Sequence, residues 1–160
     1  MSKGERGGAR RRRVPTKSRF PDLEVLDRGR PRTDKAFLRG VVAATLSHVG
    51  RPEMHVSLLL TDDAEIARLH ESYLGDASPT DVISFALDGE AELVVSVETA
   101  KRTARRCGHT VRAEVALYVV HGILHTTGFN DMRARDRARM RRAEREVMKS
   151  LGLRVRAVDE

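Results

Sequence analysis

The chain has a single cysteine, Cys107, and no tryptophan. One thiol cannot form an internal disulfide framework and is typical of proteins in a reducing compartment, so we expect a cytoplasmic location. Aromatic residues make up only 4% of the chain, whereas apolar residues in all make up 40%. We therefore expect a core that consists mainly of leucine, valine, isoleucine and alanine.

Long hydrophobic runs are missing as well. No stretch reaches the roughly 18 consecutive apolar residues that a membrane-spanning helix requires. The longest apolar stretch, near residues 115–124, is too short and contains His121. The basic N-terminus is not followed by the apolar segment of a secretory signal. We therefore expect no membrane partner.

Acidic residues are scarce in the first 20 residues, which contain eight Lys or Arg and one Glu. This segment carries the whole net charge of +7 and little apolar surface, so we predict a disordered basic arm over residues 1–20 and a single domain over residues 21–160. A second basic segment spans residues 132–152. Both segments indicate a polyanionic partner, usually nucleic acid, although a solvated tail and an exposed helix face explain the charges equally well.

Helical and strand patterns are mixed along the rest of the chain. Apolar runs predict strands at residues 23–26, 54–60, 81–87 and 92–97, with a turn at Asp88 and Gly89 between the last two. Helical spacing predicts helices at residues 33–49, 62–75, 98–107, 112–128 and 133–151, with Thr33 capping the first and Thr61 or Asp62 the second. The pattern indicates an α+β fold, in which a small mixed four-stranded sheet packs with about five helices.

A candidate metal site lies in the C-terminal half, on the fourth predicted helix. His121 and His125 are four residues apart, so both imidazoles project from one face of the helix. Gly128 can adopt the left-handed conformation that ends a helix, and the chain can then turn back and bring Asp131 to the same point. Two nitrogens and one carboxylate oxygen, with an open position, are typical of catalytic zinc, so we predict one Zn²⁺ per chain.

Three alternative roles for the two histidines have less support. A surface or core pair is the simplest, but the apolar run at residues 115–120 indicates a buried helix, where unpaired imidazoles cost free energy. Helical zinc proteases need a glutamate as general base directly after the first histidine, and the chain has Gly122 there. Non-haem iron oxygenases use the same three ligand types, but nothing else in the chain supports that class.

The segment His121-Gly122-Ile123-Leu124-His125, followed by Gly128-Phe129, resembles the hallmark of the YbeY-type endoribonucleases, the bacterial ribosomal RNA maturation factors. Further similar segments run in the family's order at residues 58–65, 80–85, 95–100 and 108–109 and at Glu114. The resemblance covers about residues 23–153. It implies a metal-dependent ribonuclease-like domain over residues 21–160. It also implies a zinc-dependent single-strand endoribonuclease that matures the 3′ end of small-subunit ribosomal RNA and acts in ribosome quality control, with ribosomal RNA and the ribosome as partners.

The chain departs from this family at two places. Asp131 stands where the family has its third histidine ligand, with Asn130 where the family has aspartate. Leu74 stands where the family has an arginine before the Thr-Asp-Val segment. These departures favour an alternative function, that of a catalytically weak, metal-containing RNA-binding factor associated with the ribosome.

The remaining candidate residues surround the catalytic pair His121 and His125. Ser84 and Phe85 are candidates for the substrate groove, although Phe85 also fits a plain core position. The side chains of Arg105 and Arg106 are candidate phosphate contacts, with a solvated surface as the alternative. Glu114 lies two helical turns before His121 and is a candidate hydrogen-bond acceptor that orients it, although a charge at the helix N-terminus explains it as well.

Overall fold

The structure, a computed structural model, describes residues 23–155. The predicted basic arm, residues 1–20, lies outside the described residues, and the prediction of a single domain over residues 21–160 stays a prediction. The elements in chain order are β1 (Leu23–Asp27), α1 (Lys35–His48), β2 (His55–Thr61), α2 (Asp63–Leu74), β3 (Val82–Leu87), β4 (Glu90–Ser96), α3 (Val97–Cys107), α4 (Val111–Thr126) and α5 (Ala134–Ser150).

The four strands form one mixed sheet in the order β1-β2-β4-β3. Strands β1 and β4 both run parallel to β2, whereas β3 runs antiparallel to β4. Asp88 and Gly89 connect β3 to β4 with φ angles of 41° and 80°, as a tight hairpin turn requires. The predicted α+β class, with a mixed four-stranded sheet and about five helices, is confirmed for residues 23–155. None of the helices in this range is long and apolar enough to cross a membrane.

Of the two predicted helix caps, one is confirmed and one is corrected. The Asp62 carboxylate accepts a hydrogen bond from the backbone N–H of Glu65 at 2.8 Å, as predicted for the start of α2. At the start of α1 the capping residue is Asp34, which accepts from the N–H of Ala36 at 3.0 Å. The prediction of Thr33 was wrong because α1 begins at Lys35, so Thr33 still belongs to the preceding loop, where its N–H donates to the Asp27 carboxylate.

The two faces of the sheet are covered differently. Successive strand residues point to opposite faces, so Ile83 and Val94 pack with Ile66 of α2, whereas Val82 and Leu93 face α4. The main core lies on the α4 face and includes residues from α1, α4 and α5. It consists almost wholly of aliphatic side chains, as the shortage of aromatic residues predicts.

Helix α4 approaches the sheet most closely at Gly122. A Cβ atom placed on this residue would lie 2.8 Å from Cδ2 of Leu93 and 3.2 Å from Cγ2 of Val82. Both distances are shorter than ordinary van der Waals contact, and Leu93 is fully buried. A side chain at position 122 would therefore push α4 away from β3 and β4.

We expect Gly122→Ala to be destabilising relative to Gly40→Ala, a change of the same chemistry in the middle of α1 where an added Cβ meets nothing within 4 Å. Gly40→Ala should raise the free energy of unfolding by about 1 kcal/mol through helix propensity. At position 122 the same gain is opposed by about 1–3 kcal/mol of overpacking. Urea denaturation of both variants measures the difference, and equal stabilisation of the two would contradict the close approach.

One carboxylate ties α2 to the junction of β4 and α3. Asp63 accepts hydrogen bonds at 2.6 Å from the hydroxyls of Ser96 and Thr99 and from the guanidinium of Arg102. Burial by itself raises the pKa of Asp63, but the three hydrogen bonds and the charge of Arg102 outweigh it, so the pKa lies below the usual 3.8. The negative charge of Asp63 therefore stabilises this junction.

Asp63→Asn should lower the free energy of unfolding at pH 7 by about 1 kcal/mol, because the side chain is partly exposed and its charged hydrogen bonds are screened. A carboxyl group with a depressed pKa stabilises the fold above its unfolded pKa, near 3.8, and loses this contribution as the pH falls through the folded value. The difference between the two proteins should therefore shrink below about pH 4. Denaturation curves at pH 3, 4 and 7 test this, and a constant difference would refute it.

Candidate metal centre

The last turn of α4 and the loop after it bring three ligand-type side chains together. Helix α4 ends at Thr126, and Gly128 has a φ of 105°, which reverses the chain direction. The guanidinium of Arg137, from the first turns of α5, donates to the backbone carbonyls of Asp131 and Met132 at 3.3 and 3.2 Å. This loop is therefore held against α5 with Asp131 facing the histidines.

The donor atoms of His121, His125 and Asp131 converge on one point. The two Nε2 atoms are 3.0 Å apart, and Nε2 of His125 lies 3.6 Å from Oδ2 of Asp131. One donor atom from each of the three residues lies within 4.8 Å of the others. Two nitrogen ligands of a tetrahedral zinc ion are about 3.3 Å apart, so the arrangement fits such an ion. The predicted group of three could therefore hold a metal.

The other ring nitrogen of His121, Nδ1, is bound by a residue that was not among the candidates predicted from the sequence. Nδ1 of His121 donates a hydrogen bond to Oε1 of Glu144, on α5, at 2.5 Å. Burial by itself lowers the pKa of His121, but the hydrogen bond and charge of Glu144, with the charges of Asp81 and Asp131, outweigh it and raise the pKa. Because the proton of the neutral imidazole sits on Nδ1, Nε2 presents its lone pair to a metal.

Glu144, not Glu114, is thus the carboxylate that orients His121. The carboxylate of Glu114 is bound to the ring of His109, and both side chains are buried. Seven residues along a helix correspond to about 10 Å, too far for a direct hydrogen bond from Glu114 to His121. The sequence does contain an indication of this role for Glu144. It lies four residues after the buried Met140, so it is an acidic residue beside the apolar face of its helix.

Two clefts meet at the candidate metal centre, and both are lined by His121 and Asp81. The first, about 830 Å³, lies between α3, α4 and α5, and we call it the arginine cleft because Arg102, Arg106, Arg137 and Arg141 line it. The second, about 470 Å³, lies beside β3 and the end of α2, and we call it the strand cleft. The candidate metal site thus lies where two open spaces join.

The chain is similar to known proteins in family pattern, in sequence and in fold. The family model described as Endoribonuclease YbeY matches residues 29–152. The chain belongs to this family. It is 36% identical over 137 residues to an endoribonuclease YbeY of Heliobacterium modesticaldum, covering 73% of this chain and 82% of that protein. It is 41% identical over 113 residues to one of Pelotomaculum thermopropionicum, covering 63% and 74%.

The fold is also found in a solved structure. The solution structure of TM1509 from Thermotoga maritima superposes with a TM-score of 0.61, at 24% sequence identity, over 81% of this chain and 88% of that one. This likeness shows the fold. Membership of the YbeY family confirms the resemblance that the spaced motifs predict, and it supports the predicted role of an endoribonuclease in ribosomal RNA maturation.

Of the two predicted substrate residues on β3, only one lies beside the candidate metal centre of this YbeY-family chain. Ser84 lines the strand cleft together with His121 and His125. Phe85, its neighbour in β3, points to the opposite face and packs edge-on against Tyr73 with the ring centroids 5.3 Å apart. Side chains of consecutive strand residues point to opposite faces of the sheet, so Ser84 lies beside the two histidines and Phe85 does not. A role of either residue in substrate binding stays a prediction.

The two predicted arginines are separated in the same way. Arg106 lines the arginine cleft and Arg105 does not, although both line a shallow depression on the surface of α3 together with Lys101 and Arg102. Consecutive residues differ by about 100° in direction around a helix, so only one of the pair can face the metal centre. Leu74, the second departure from the family pattern, lines the strand cleft with 59% of its surface exposed.

Loss of the Glu144 carboxylate should weaken metal binding without unfolding the protein. We expect Glu144→Gln to reduce zinc affinity by about 10- to 100-fold, because Nδ1 of His121 loses its charged acceptor. Competition with a chromophoric chelator measures the affinity. Glu146→Gln, on the same helix but paired with Arg142 away from the centre, serves as the matched control. Equal affinities for the two variants would contradict the role of Glu144.

Proposed function

We propose that this chain is a zinc-dependent endoribonuclease that cleaves single-stranded segments of ribosomal RNA, in maturation of the small-subunit RNA 3′ end and in ribosome quality control. The observation that carries the proposal is the convergence of His121, His125 and Asp131 at the junction of two open clefts. A chain of the YbeY family with this geometry has a place for a metal and room for an extended strand beside it.

Zinc is the metal we propose, one ion per chain, because two imidazole nitrogens and one carboxylate oxygen form a typical catalytic zinc set. A zinc ion held there would polarise a phosphoryl oxygen of the RNA backbone. The carboxylate of Asp131 is anionic, so it lowers the net positive charge of the centre compared with three histidines. Harder metals therefore compete somewhat better at this centre.

Residues of the chain itself provide orientation and charge. Glu144 holds the proton of His121 at Nδ1, and Arg137 holds the loop that carries Asp131. Arg106 and Arg141 face the arginine cleft, where phosphates of a bound strand would lie. Gly122 has no group that can move a proton, so the proton acceptor for the attacking oxygen is not the residue that helical zinc proteases use.

Ribosomal RNA within the ribosome is the partner we propose, and the cytoplasm is the compartment. The net charge of +7 favours a polyanionic partner, and the single cysteine suits a reducing compartment. A second candidate function is an RNA-binding factor of the ribosome with weak catalysis. It is favoured by Leu74, which offers no cation in the strand cleft, and by the anionic ligand Asp131.

Cleavage of structured ribosomal RNA by the zinc-loaded protein should vanish with a chelator and return with added zinc. His125→Ala should lower the cleavage rate at least about 100-fold, because the Lewis acid contributes several kcal/mol to the transition state. His48→Ala, which removes an imidazole from the end of α1, is the control and should cleave normally. Gel analysis of end-labelled RNA measures the rates. Tight binding with no cleavage in any of these proteins would support the second candidate and overturn the first.

A further inference from the structure

The two clefts that meet at the candidate metal centre differ in the cations that line them. The arginine cleft is lined by four arginines and by four carboxylates, of which Glu114 is bound to His109 and Glu144 to His121, while Asp131 belongs to the candidate metal group. The residues that line the strand cleft include no lysine or arginine in the part of the chain that the structure describes, residues 23–155. Because His121 and Asp81 line both clefts, the arginines begin on one side of the candidate metal centre. An RNA strand that passes from one cleft to the other would therefore meet arginine side chains on only one side of the reacting bond.

Not every arginine of the arginine cleft is available to a ligand. Arg102 is bound to the Asp63 carboxylate at 2.6 Å, and Arg137 is bound to the loop carbonyls of Asp131 and Met132. Among residues 23–155, Arg106 and Arg141 have neither an ion pair nor a hydrogen bond, and both are exposed. These two guanidiniums, one from α3 and one from α5, are the cations that can pair with phosphates.

The strand cleft offers other chemistry. Its lining includes the Ser84 and Thr126 hydroxyls, the His70 ring and the exposed side chain of Leu74. Hydroxyls can hydrogen-bond to ribose and base edges, and an apolar side chain can pack on a base, but none of these groups neutralises a phosphate. Nucleotides in this cleft are therefore held without ion pairs to lysine or arginine.

We propose that the two clefts form one groove that binds RNA asymmetrically across the metal centre. On one side of the scissile bond the backbone phosphates pair with Arg106 and Arg141. On the other side the nucleotides contact the strand cleft through their sugars and bases. The substrate is thus a single RNA strand whose phosphate charges matter on one side only. This inference rests on the proposed function, because it takes RNA as the ligand and the metal centre as the place of cleavage.

The asymmetry can be measured with a short RNA that has one mapped cleavage site. Its phosphates are replaced one at a time by neutral methylphosphonates at the positions flanking that site, and kcat/KM is determined with the zinc-loaded protein. Neutralising one or two phosphates on one side should lower kcat/KM about fivefold each, the size expected for an exposed charge pair. Neutralising those on the other side should change kcat/KM by less than about twofold.

Variants assign the effect to the named arginines. In Arg106→Gln/Arg141→Gln the sensitive phosphates should become insensitive, and the slope of log affinity against log salt should fall by about 1.4, since two contacts on a single strand are lost. Arg145→Gln, on α5 outside the groove, makes the same charge change as Arg141→Gln and should keep the asymmetry. Leu74→Arg should make phosphates on the insensitive side matter, because its exposed position leaves room for a cation.

Equal sensitivity on both sides, or an asymmetry that persists in the double variant, would overturn the inference while leaving the proposed function intact. Failure of the zinc-loaded protein to cleave any RNA would overturn the proposed function. In that case the affinities of the same RNAs, measured by fluorescence anisotropy, decide the inference alone. Sensitive phosphates confined to one continuous part of the strand would support the inference, and sensitivity spread along the whole strand would overturn it.

Discussion

The close packing of α4 on the sheet is the constraint on which the candidate metal centre depends. Gly122 allows the helix to lie against Leu93 and Val82, with no side chain between them. His121 precedes this contact and His125 follows it within one turn, so both imidazoles emerge at the edge of the sheet beside β3. In the sequence, Gly122 is notable only because it replaces the glutamate of helical zinc proteases, whereas in the structure it allows close packing. It sets the distance between the ligand helix and the strand that lines one cleft.

Helix α5 completes the centre from one face. Arg137, Arg141 and Glu144 are spaced four and three residues apart, so they project in the same direction. The first holds the loop of Asp131, the second faces the arginine cleft, and the third holds Nδ1 of His121. The basic composition of this segment therefore conceals three different contacts. A count of charges treats Arg137 and Arg141 alike and does not show what Glu144 binds, so only the partner of each residue reveals its role.

Carboxylates determine which cations of this chain are available to RNA. Asp63 engages Arg102 and thereby joins α2 to α3. Among the described residues Arg106, one turn further along α3, has no such partner and remains open to a ligand. The difference matters for function because a guanidinium already bound to a carboxylate must exchange that ion pair for one with phosphate, which reduces the gain from the new contact. The arginines that are free to bind phosphate are therefore fewer than the arginines that line the arginine cleft.

The sequence by itself determined what depends on neighbours in the chain. Strand alternation, helical spacing and capping residues predicted the elements. The four-residue step from His121 to His125, followed by Gly128, predicted the group with Asp131 that could hold a metal. Local geometry suffices there because each relation spans only a few residues. Tertiary structure alone decided the rest: that Glu144 rather than Glu114 holds His121, that Ser84 and Arg106 face the clefts while Phe85 and Arg105 do not, and that Arg102 is occupied. These depend on how strands and helices far apart in the chain pack together, and on which of two opposite faces becomes the inner one. No local pattern contains that information.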